Sequence, residues 1–215
     1  MQTSTIYIIV GVVAVALLLM VSSQFLTSSA IGSITTLGTA DHVEGNKDAG
    51  IVLIEYGDYQ CPACAQYHPI VKEALTGMEQ TVAFSFRHFP LQQHAQAVDA
   101  AYAAEAAGIQ GKYWEMHNAL YENQQVWAGQ TNARDHFIAF AKDLNLDVQK
   151  FQNDLDTQAV KEKVQNDFQG GLKAGVNQTP TFFINGKKID APKSAAEFKT
   201  LLQNAGVSTA TTTAQ

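Results

Sequence analysis

The 215 residues of the chain are enough for one well-packed domain and too few for two independent ones of ordinary size. Hydrophobic residues make up 46% and charged residues 16%, a composition typical of a globular protein rather than a disordered one. The formal net charge is −6 and the sequence has no basic run. We therefore expect no nucleic-acid partner, because binding requires several Lys or Arg side chains at the phosphates.

The chain begins with a long apolar stretch. The run 6–21 spans roughly 24 Å at about 1.5 Å per residue, and with the apolar pair 25–26 it just reaches the ~30 Å of a membrane hydrocarbon core. We therefore expect residues 1–26 to form a membrane signal anchor, with cleavage as a signal peptide as the alternative. The small and polar residues 27–40 predict a flexible linker.

Two strands and a helix are predicted at the start of the folded region, which we place at residues 41–207. Ile51–Ile54 is a continuous apolar, β-branched run, typical of a strand that is covered on both faces. A helix is predicted from Pro62 to Leu75, and the partial alternation of Thr81–Phe86 indicates a second strand.

A helical block separates this start from the last strands. Between residues 92 and 175 apolar side chains recur every three or four positions, as in Val160, Val164, Phe168 and Leu172. We expect this range to be helical.

Strand signals return after the helical block. Thr181–Ile184 reads as a strand, and Asn185-Gly186 is a strong hairpin signal that predicts a partner strand at Lys187–Ile189. A last helix is expected over about 194–203, and the Thr- and Ala-rich residues 208–215 predict a disordered tail.

The sequence contains two cysteines, and both belong to the motif Cys61-Pro62-Ala63-Cys64. A disulfide framework that staples a fold uses more cysteines, and its bridges close longer loops. A tetrahedral zinc site needs four ligands, and a second CxxC is missing. The short motif therefore indicates a dithiol that performs chemistry.

The surroundings of the motif separate the roles of its two cysteines. Pro62 suits the first position of a helix, which places Cys61 at the N-cap, where backbone N–H groups and the helix dipole stabilise a thiolate. Cys61 is thus predicted to be the attacking thiol, and Cys64, one turn later, the resolving one. Two alternatives stay open: half of a metal site that includes His68, and a structural CxxC.

Two segments outside the motif carry further candidate residues. Glu55 lies within an apolar strand, six residues before Cys61. Poor solvation there would raise its pKa and suit it to exchange a proton with Cys64, unless its side chain reaches solvent at the strand end. Thr179-Pro180 directly precedes the strand that follows the helical block, a place where a proline is tolerated.

The motif and its neighbours resemble the DsbA-like disulfide oxidoreductases of bacteria, in particular their membrane-anchored thioredoxin-like branch. The similarity covers roughly residues 41–204 and is carried by Asp41–Val43 with Ile51–Cys64, Phe86–Leu91, Gly111–Trp114 and Thr179–Gly186. It implies an α/β thioredoxin-like fold, with a central mixed sheet flanked by helices. The thioredoxin core would occupy 41–91 and 176–207, and the helical insertion 92–175.

The resemblance also implies roles for the candidate residues. Thr179-Pro180 would be a cis-proline loop that faces the cysteines, with Pro180 among the catalytic residues. The Thr179 backbone would pair with a bound peptide beside Pro62 and Ala63. Glu55 would be the buried proton carrier. One position departs from the pattern, since strongly oxidising members carry His where this chain has Ala63.

The preferred prediction is an extracytoplasmic dithiol oxidase that donates the Cys61–Cys64 disulfide to reduced or misoxidised secreted proteins, without a metal or organic cofactor. As the resemblance implies, a quinone-linked membrane protein of the DsbB or VKOR type would reoxidise the pair. We expect a monomer held by a single-pass anchor at the outer face of the cell membrane, or secreted after cleavage. The alternatives are a disulfide reductase or isomerase, a non-catalytic peptide-binding or chaperone module, and a cytoplasmic metal-binding module.

Overall fold

The structure is a computed structural model, and it describes residues 36–212. The predicted anchor or signal segment 1–26 lies outside the described residues, as do the first part of the linker and the last three residues. None of the helices within 36–212 combines the length and the hydropathy that a membrane crossing requires.

A mixed sheet of five strands forms the centre of the described region. Along the chain these are β1 (Val43–Gly45), β2 (Ile51–Gly57), β3 (Val82–His88), β4 (Thr181–Ile184) and β5 (Lys187–Ile189), and their order across the sheet is β1-β3-β2-β4-β5. β2 and β3 run parallel, and the other neighbouring pairs are antiparallel. Because β2 and β3 are covered on both faces, nearly all of their residues are buried.

Eight helices accompany the sheet in the same part of the chain. α1 (Pro62–Leu75) connects the parallel strands β2 and β3. Six helices lie between β3 and β4, and one follows β5: α2 (Ala97–Gly108), α3 (Tyr113–Glu122), α4 (Gln124–Trp127), α5 (Ala133–Asp143), α6 (Val148–Asp154), α7 (Gln158–Lys173) and α8 (Ala195–Thr212). The predicted order, with a helical block between the second and third predicted strands, is confirmed.

The sheet separates two hydrophobic cores. Leu53 belongs to the larger core, which also contains residues of α1, α2 and other helices of the insertion. Ile54 points to the opposite face, where it packs with Phe183 in the smaller core. Since side chains alternate along a strand, Glu55 points to the same face as Leu53.

A network of buried charged residues ties the N-terminal segment to the sheet and to the insertion. Arg87 of β3 forms an ion pair with Asp41, with 2.7 Å between Nη2 and Oδ2. The Glu105 carboxylate on α2 lies 2.9 Å from His42 Nε2 and 2.8 Å from His88 Nε2. Each of these groups has a partner, as charges removed from water require.

The strands differ from the sequence prediction in number and extent. The sequence does not predict β1, because three residues are too few to show an alternating pattern. β2 continues to Gly57 and β3 to His88, beyond the predicted ends. The apolar pattern stops early because the fold buries two charged residues, Glu55 and Arg87, within these strands.

The last helix is longer than predicted. The predicted end near residue 203 is wrong, since α8 continues to Thr212. The predicted disordered tail over 208–215 is therefore wrong for residues 208–212. Gly206 lies inside the helix, and a Cβ atom at this position would stand 3.0 Å from Ile51 Cδ1. The glycine thus allows α8 to pass close to the start of β2 instead of ending the helix.

Candidate active site

The two cysteines lie at the start of α1. Cys61 is the N-cap residue and Pro62 begins the helix, as predicted. The Cys61 carbonyl accepts a hydrogen bond from the backbone N–H of Ala65 at 3.2 Å, so the first helical turn forms across the motif. Both cysteines are free thiols; Cys61 is 6% exposed and Cys64 is fully buried.

The environment of Cys61 favours its thiolate. A hydrogen bond from the Cys64 thiol is the largest influence, and burial acts against it. The Thr179 hydroxyl and the backbone N–H groups of Cys64 and Ala63 add to the stabilisation. Together they lower the pKa of Cys61 to about 5. At neutral pH Cys61 is therefore ionised, and the thiolate is the nucleophilic form of cysteine.

The environment of Cys64 has the opposite effect. Burial raises its pKa well above the usual range, and the hydrogen bond to Cys61 and the charge of Glu55 raise it further. Cys64 therefore keeps its proton while Cys61 is ionised. The sequence predicts Cys61 as the attacking thiol and Cys64 as the resolving one. These roles require such a difference between the two pKa values.

Glu55 lies in the middle of β2, between two aromatic residues of the neighbouring strands. Its register partners are Phe86 on β3 and Phe182 on β4. The residue is 3% exposed, so its side chain does not reach solvent at the strand end. Burial, and after it the charge of Cys61, raise the pKa of Glu55 to about 8. A carboxyl group with this pKa holds a proton at neutral pH and can donate it to a thiolate.

A cavity of about 20 Å³ adjoins Glu55. Its lining includes His68 and His117 and, toward the surface, the exposed residues Glu44 and Lys72. The volume suits a single water molecule, and polar groups surround it. A water molecule in this cavity would lie between Glu55 and the exposed residues of the lining.

The loop that precedes β4 packs against the cysteine motif. The Thr179–Pro180 peptide bond is cis, and both residues are buried. The Sγ atom of Cys61 lies 3.5 Å from the carbonyl oxygen of Thr179, although 118 positions separate the two residues. With Cys61 as a thiol, the Thr179 hydroxyl has no hydrogen-bond partner among the described residues, which leaves it available to the thiolate.

The two residues between the cysteines are the accessible part of the motif. Pro62 is exposed and Ala63 is partly exposed, whereas Thr179 faces Cys61 from the adjoining loop. Contact of these three residues with a substrate stays a prediction.

Asp58 is a site residue that the sequence does not single out. Its carboxylate is 2% exposed and accepts hydrogen bonds from the backbone N–H groups of Gln60 at 2.7 Å and Leu91 at 2.9 Å. Its Oδ2 atom lies 2.6 Å from His94 Nδ1, and its carbonyl accepts from the N–H of Cys61 at 3.0 Å. In a sequence this residue is indistinguishable from an ordinary turn aspartate.

Potential metal ligands gather away from the cysteines. Among residues 36–212, the group close enough to hold an ion is His88, Glu105 and Asp167, and it includes neither the cysteines nor His68. The Nζ atom of Lys163 lies 2.6 Å from Asp167 Oδ2 and 3.8 Å from Glu105 Oε1. A lysine ammonium group thus supplies positive charge within this group.

Comparison with known families agrees with the fold and with the geometry of the site. A family model described as thioredoxin matches residues 38–204, more than three quarters of the chain. The chain belongs to the thioredoxin family. The matched region contains the cysteine motif, Glu55 and Thr179-Pro180.

Several solved structures share this fold. A thioredoxin-like oxidoreductase from Silicibacter pomeroyi DSS-3 is 25% identical, with a TM-score of 0.66 over 81% of this chain and 94% of that one. Wolbachia pipientis alpha-DsbA1 is 22% identical, with a TM-score of 0.71 over 82% and 96%. Oxidised BdbD from Bacillus subtilis is 23% identical, with a TM-score of 0.71 over 80% and 96%. The predicted DsbA-like thioredoxin fold with its helical insertion is confirmed.

Curated relatives with detectable sequence similarity are much longer proteins. The Na(+)/H(+) antiporter NhaA 1 of Mycobacterium sp. (strain KMS) is 37% identical over 161 residues, which are 73% of this chain and 25% of the antiporter. NhaA 1 of Salinispora arenicola (strain CNS-205) is 39% identical over 149 residues, 69% and 22% respectively. The chain spans about a quarter of the length of these relatives, so the similarity concerns one segment of each antiporter.

Proposed function

We propose that the protein is a thiol–disulfide oxidoreductase that oxidises dithiols in other proteins. The observation that carries the proposal is the asymmetry of the cysteine pair. The pKa of Cys61 is lowered to about 5, whereas that of Cys64 is raised well above its usual range. Thiol–disulfide exchange uses both properties, since it needs a stable thiolate at the attacking cysteine and a protonated thiol at the resolving cysteine.

The proposed reaction starts from the Cys61–Cys64 disulfide and a substrate thiolate. The thiolate attacks the Cys61 sulfur, the bond between the two cysteines breaks, and Cys64 leaves with the electron pair. Glu55 donates a proton to Cys64, because its pKa of about 8 keeps the carboxyl protonated at neutral pH. A second substrate thiolate attacks the substrate sulfur of the mixed disulfide and releases Cys61 as a thiolate. The substrate loses two electrons and the enzyme gains them.

The stabilised thiolate supports oxidation as the preferred direction. A low pKa at the attacking cysteine stabilises the reduced enzyme, which makes its disulfide a stronger oxidant. Ala63 stands where strongly oxidising relatives carry histidine. The donors around Cys61, which are the Cys64 thiol, the Thr179 hydroxyl and two backbone N–H groups, lower its pKa without an imidazole.

We place the reaction at the extracytoplasmic face of the cell membrane. This placement rests on the apolar segment 1–26 and on the family resemblance, and it suits an oxidising compartment in which disulfides persist. The substrates would be reduced or misoxidised secreted proteins. A quinone-linked membrane protein of the DsbB or VKOR type would restore the disulfide of a monomeric enzyme.

Disulfide transfer to a reduced, unfolded secreted protein tests the activity. The oxidised enzyme should form disulfides in that substrate at the expense of its own. Cys61→Ser should abolish transfer. Cys64→Ser, first converted to its Cys61–glutathione mixed disulfide, should exchange glutathione for the thiol of a substrate with a single cysteine, and mass spectrometry identifies the resulting mixed disulfide at Cys61. Binding of the substrate without any transfer would contradict the proposal and leave a peptide-binding or chaperone module.

The reduction potential separates an oxidase from a reductase. Equilibration with glutathione buffers should give a value closer to about −120 mV than to about −270 mV, the potentials of a strong oxidant and of thioredoxin. A value near that of thioredoxin would instead support a disulfide reductase of the same fold.

A further inference from the structure

Three consecutive residues of the loop that ends at Cys61 are held by glutamine side chains of the helical insertion. The Nε2 atom of Gln124 donates to the Tyr59 carbonyl at 2.7 Å and to the Cys61 carbonyl at 3.0 Å. The residue between them, Gln60, donates through Nε2 to Gln96 Oε1 at 2.6 Å and accepts from the Gln96 backbone N–H at 2.7 Å. Two residues of the insertion, Gln124 and Gln96, therefore hydrogen-bond to this segment.

The position of Gln124 is fixed by the packing of the helix that it begins. It begins the short helix α4, whose Trp127 is fully buried and donates through Nε1 to the Leu120 carbonyl at 2.9 Å. Gln124 is 3% exposed, so its amide group lies away from water. A buried amide is costly unless it is hydrogen-bonded, and both protons of its nitrogen are used on the loop carbonyls.

We infer that Gln124 is a positioning residue for the reaction of Cys61. Its amide holds the Cys61 carbonyl in place, and thereby keeps the Cys61 sulfur in front of the Ala63 and Cys64 N–H groups. The inference rests on the proposed thiol–disulfide exchange and extends it, because it assigns to the insertion a part in setting the reactivity of the attacking thiol.

The geometry explains why a single amide has this effect. The Cys61 carbonyl also accepts the first hydrogen bond of α1, from Ala65, so its direction and the start of the helix are linked. The thiolate is stabilised by N–H groups of that same helical turn. Without the Gln124 donors, the Tyr59 and Cys61 carbonyls would turn toward other partners. The Cys61 thiolate would then be less well aligned with the N–H groups of the first helical turn.

Two substitutions at this position and one control test the inference. Gln124→Leu keeps the approximate size of the side chain and removes both donors. Gln124→Glu keeps the shape but places a carboxylate against two carbonyl oxygens and near the thiolate. Gln110→Leu is the matched control, since Gln110 also lies in the insertion and donates to a backbone carbonyl, that of Asp147 at 3.1 Å, away from the cysteines.

The readouts are the ultraviolet titration of the Cys61 thiolate and the equilibrium with glutathione. Loss of about one net hydrogen bond changes an equilibrium roughly threefold to tenfold. We therefore expect Gln124→Leu to lower the thiolate fraction at acidic pH, and the equilibrium constant for oxidising glutathione, by that factor. Gln124→Glu should lower both further, and Gln110→Leu should change neither.

A merely structural role for Gln124 would lower the thermal stability of the variants while the titration and the glutathione equilibrium stayed at their wild-type values, and that result would overturn the inference. If Gln124→Leu does not fold, the same comparison with Gln124→Glu decides. Failure of the proposed function would look different: the wild-type protein would transfer no disulfide, yet the titration of Cys61 would still reveal whether Gln124 controls its ionisation.

Discussion

The protein contains two buried glutamates whose environments are opposite. Glu55 is 3% exposed and Glu105 is 7% exposed. Glu105 is surrounded by His42, His88 and Lys163, and these partners outweigh burial and lower its pKa. For Glu55 burial and the charge of Cys61 act together, and its pKa rises to about 8.

This difference shows that burial alone does not determine what a carboxyl group does. A buried carboxylate with cationic partners stays charged and holds elements together. A buried carboxyl group among aromatic residues keeps its proton near neutral pH, where it can donate or accept it. Glu105 belongs to the first type and joins the N-terminal segment to α2, whereas Glu55 belongs to the second and adjoins the cysteines.

The largest expected effect is on stability, at Glu105. Glu105→Gln removes the carboxylate that His42 and His88 contact and leaves Asp167 as the remaining partner of Lys163, so we expect a loss of about 3 kcal/mol in the free energy of unfolding. Urea unfolding followed by circular dichroism measures it. Glu115→Gln, which removes an exposed partner of Lys112, should cost less than about 1 kcal/mol. Equal effects of the two substitutions would contradict a special contribution of buried Glu105 to stability.

Glu55→Gln should affect turnover instead. Without the carboxyl proton, reduction of the Cys61–Cys64 disulfide by a substrate dithiol should slow roughly a hundredfold at neutral pH. Alkylation of reduced Cys61, which needs no proton from Glu55, should proceed at the wild-type rate. Stopped-flow kinetics with a small dithiol measures the first and iodoacetamide labelling the second. An unchanged rate with the dithiol would remove Glu55 from the mechanism.

The pH dependence of stability should have opposite signs at the two glutamates. The folded-state pKa of Glu55 lies above its unfolded value of 4.5, so the wild-type protein loses stability relative to Glu55→Gln as the pH rises from about 4.5 to 8. Between pH 5 and 7 we expect the free energy of unfolding of the wild-type protein to fall by on the order of 2 kcal/mol relative to that of Glu55→Gln. The pKa of Glu105 is lowered, so its contribution is present above 4.5 and is lost as the pH falls below that value. Unfolding of the reduced proteins across this range measures both, because the charge of Cys61 that helps to raise the pKa of Glu55 is present in that state.

The smallest expected effect is at Thr179. Thr179→Val removes one hydroxyl donor from Cys61, so the pKa of Cys61 should rise by the equivalent of about 1 kcal/mol. The pH dependence of alkylation between pH 4 and 7 measures this change. Thr181→Val is the matched control, because the Thr181 hydroxyl donates to the Gln178 carbonyl at 2.8 Å instead. A shift of the same size in the control would rule out a specific role for the Thr179 hydroxyl.

Local features of the fold and site are predictable from the sequence. The limits of α1, β4 and β5 agree with the structure because each has a local signal, which is a proline at the helix start or a hairpin turn. The burial of Glu55 follows from the apolar residues that precede it. The position of Cys61 at the N-cap follows from Pro62 alone.

The remaining features depend on contacts between distant parts of the chain. His42 and Glu105 are 63 positions apart, and Gln124 lies 65 positions from Tyr59, so no local pattern indicates either contact. In the sequence Glu55 and Glu105 are two glutamates among apolar residues. The packing of β3, α2 and α7 distinguishes them, because it brings His88 and Lys163 to Glu105 and aromatic residues to Glu55.

Titration of the reduced protein tests the assignment of Cys61 as the attacking thiol. Ultraviolet absorbance should report one thiolate with a pKa of about 5. Cys61→Ser should remove this transition, and Cys64→Ala should retain it at a higher pH, since the hydrogen bond from the Cys64 thiol is lost. A single transition near pH 9, or a low transition that survives in Cys61→Ser, would contradict the assignment of Cys61 as the attacking thiol.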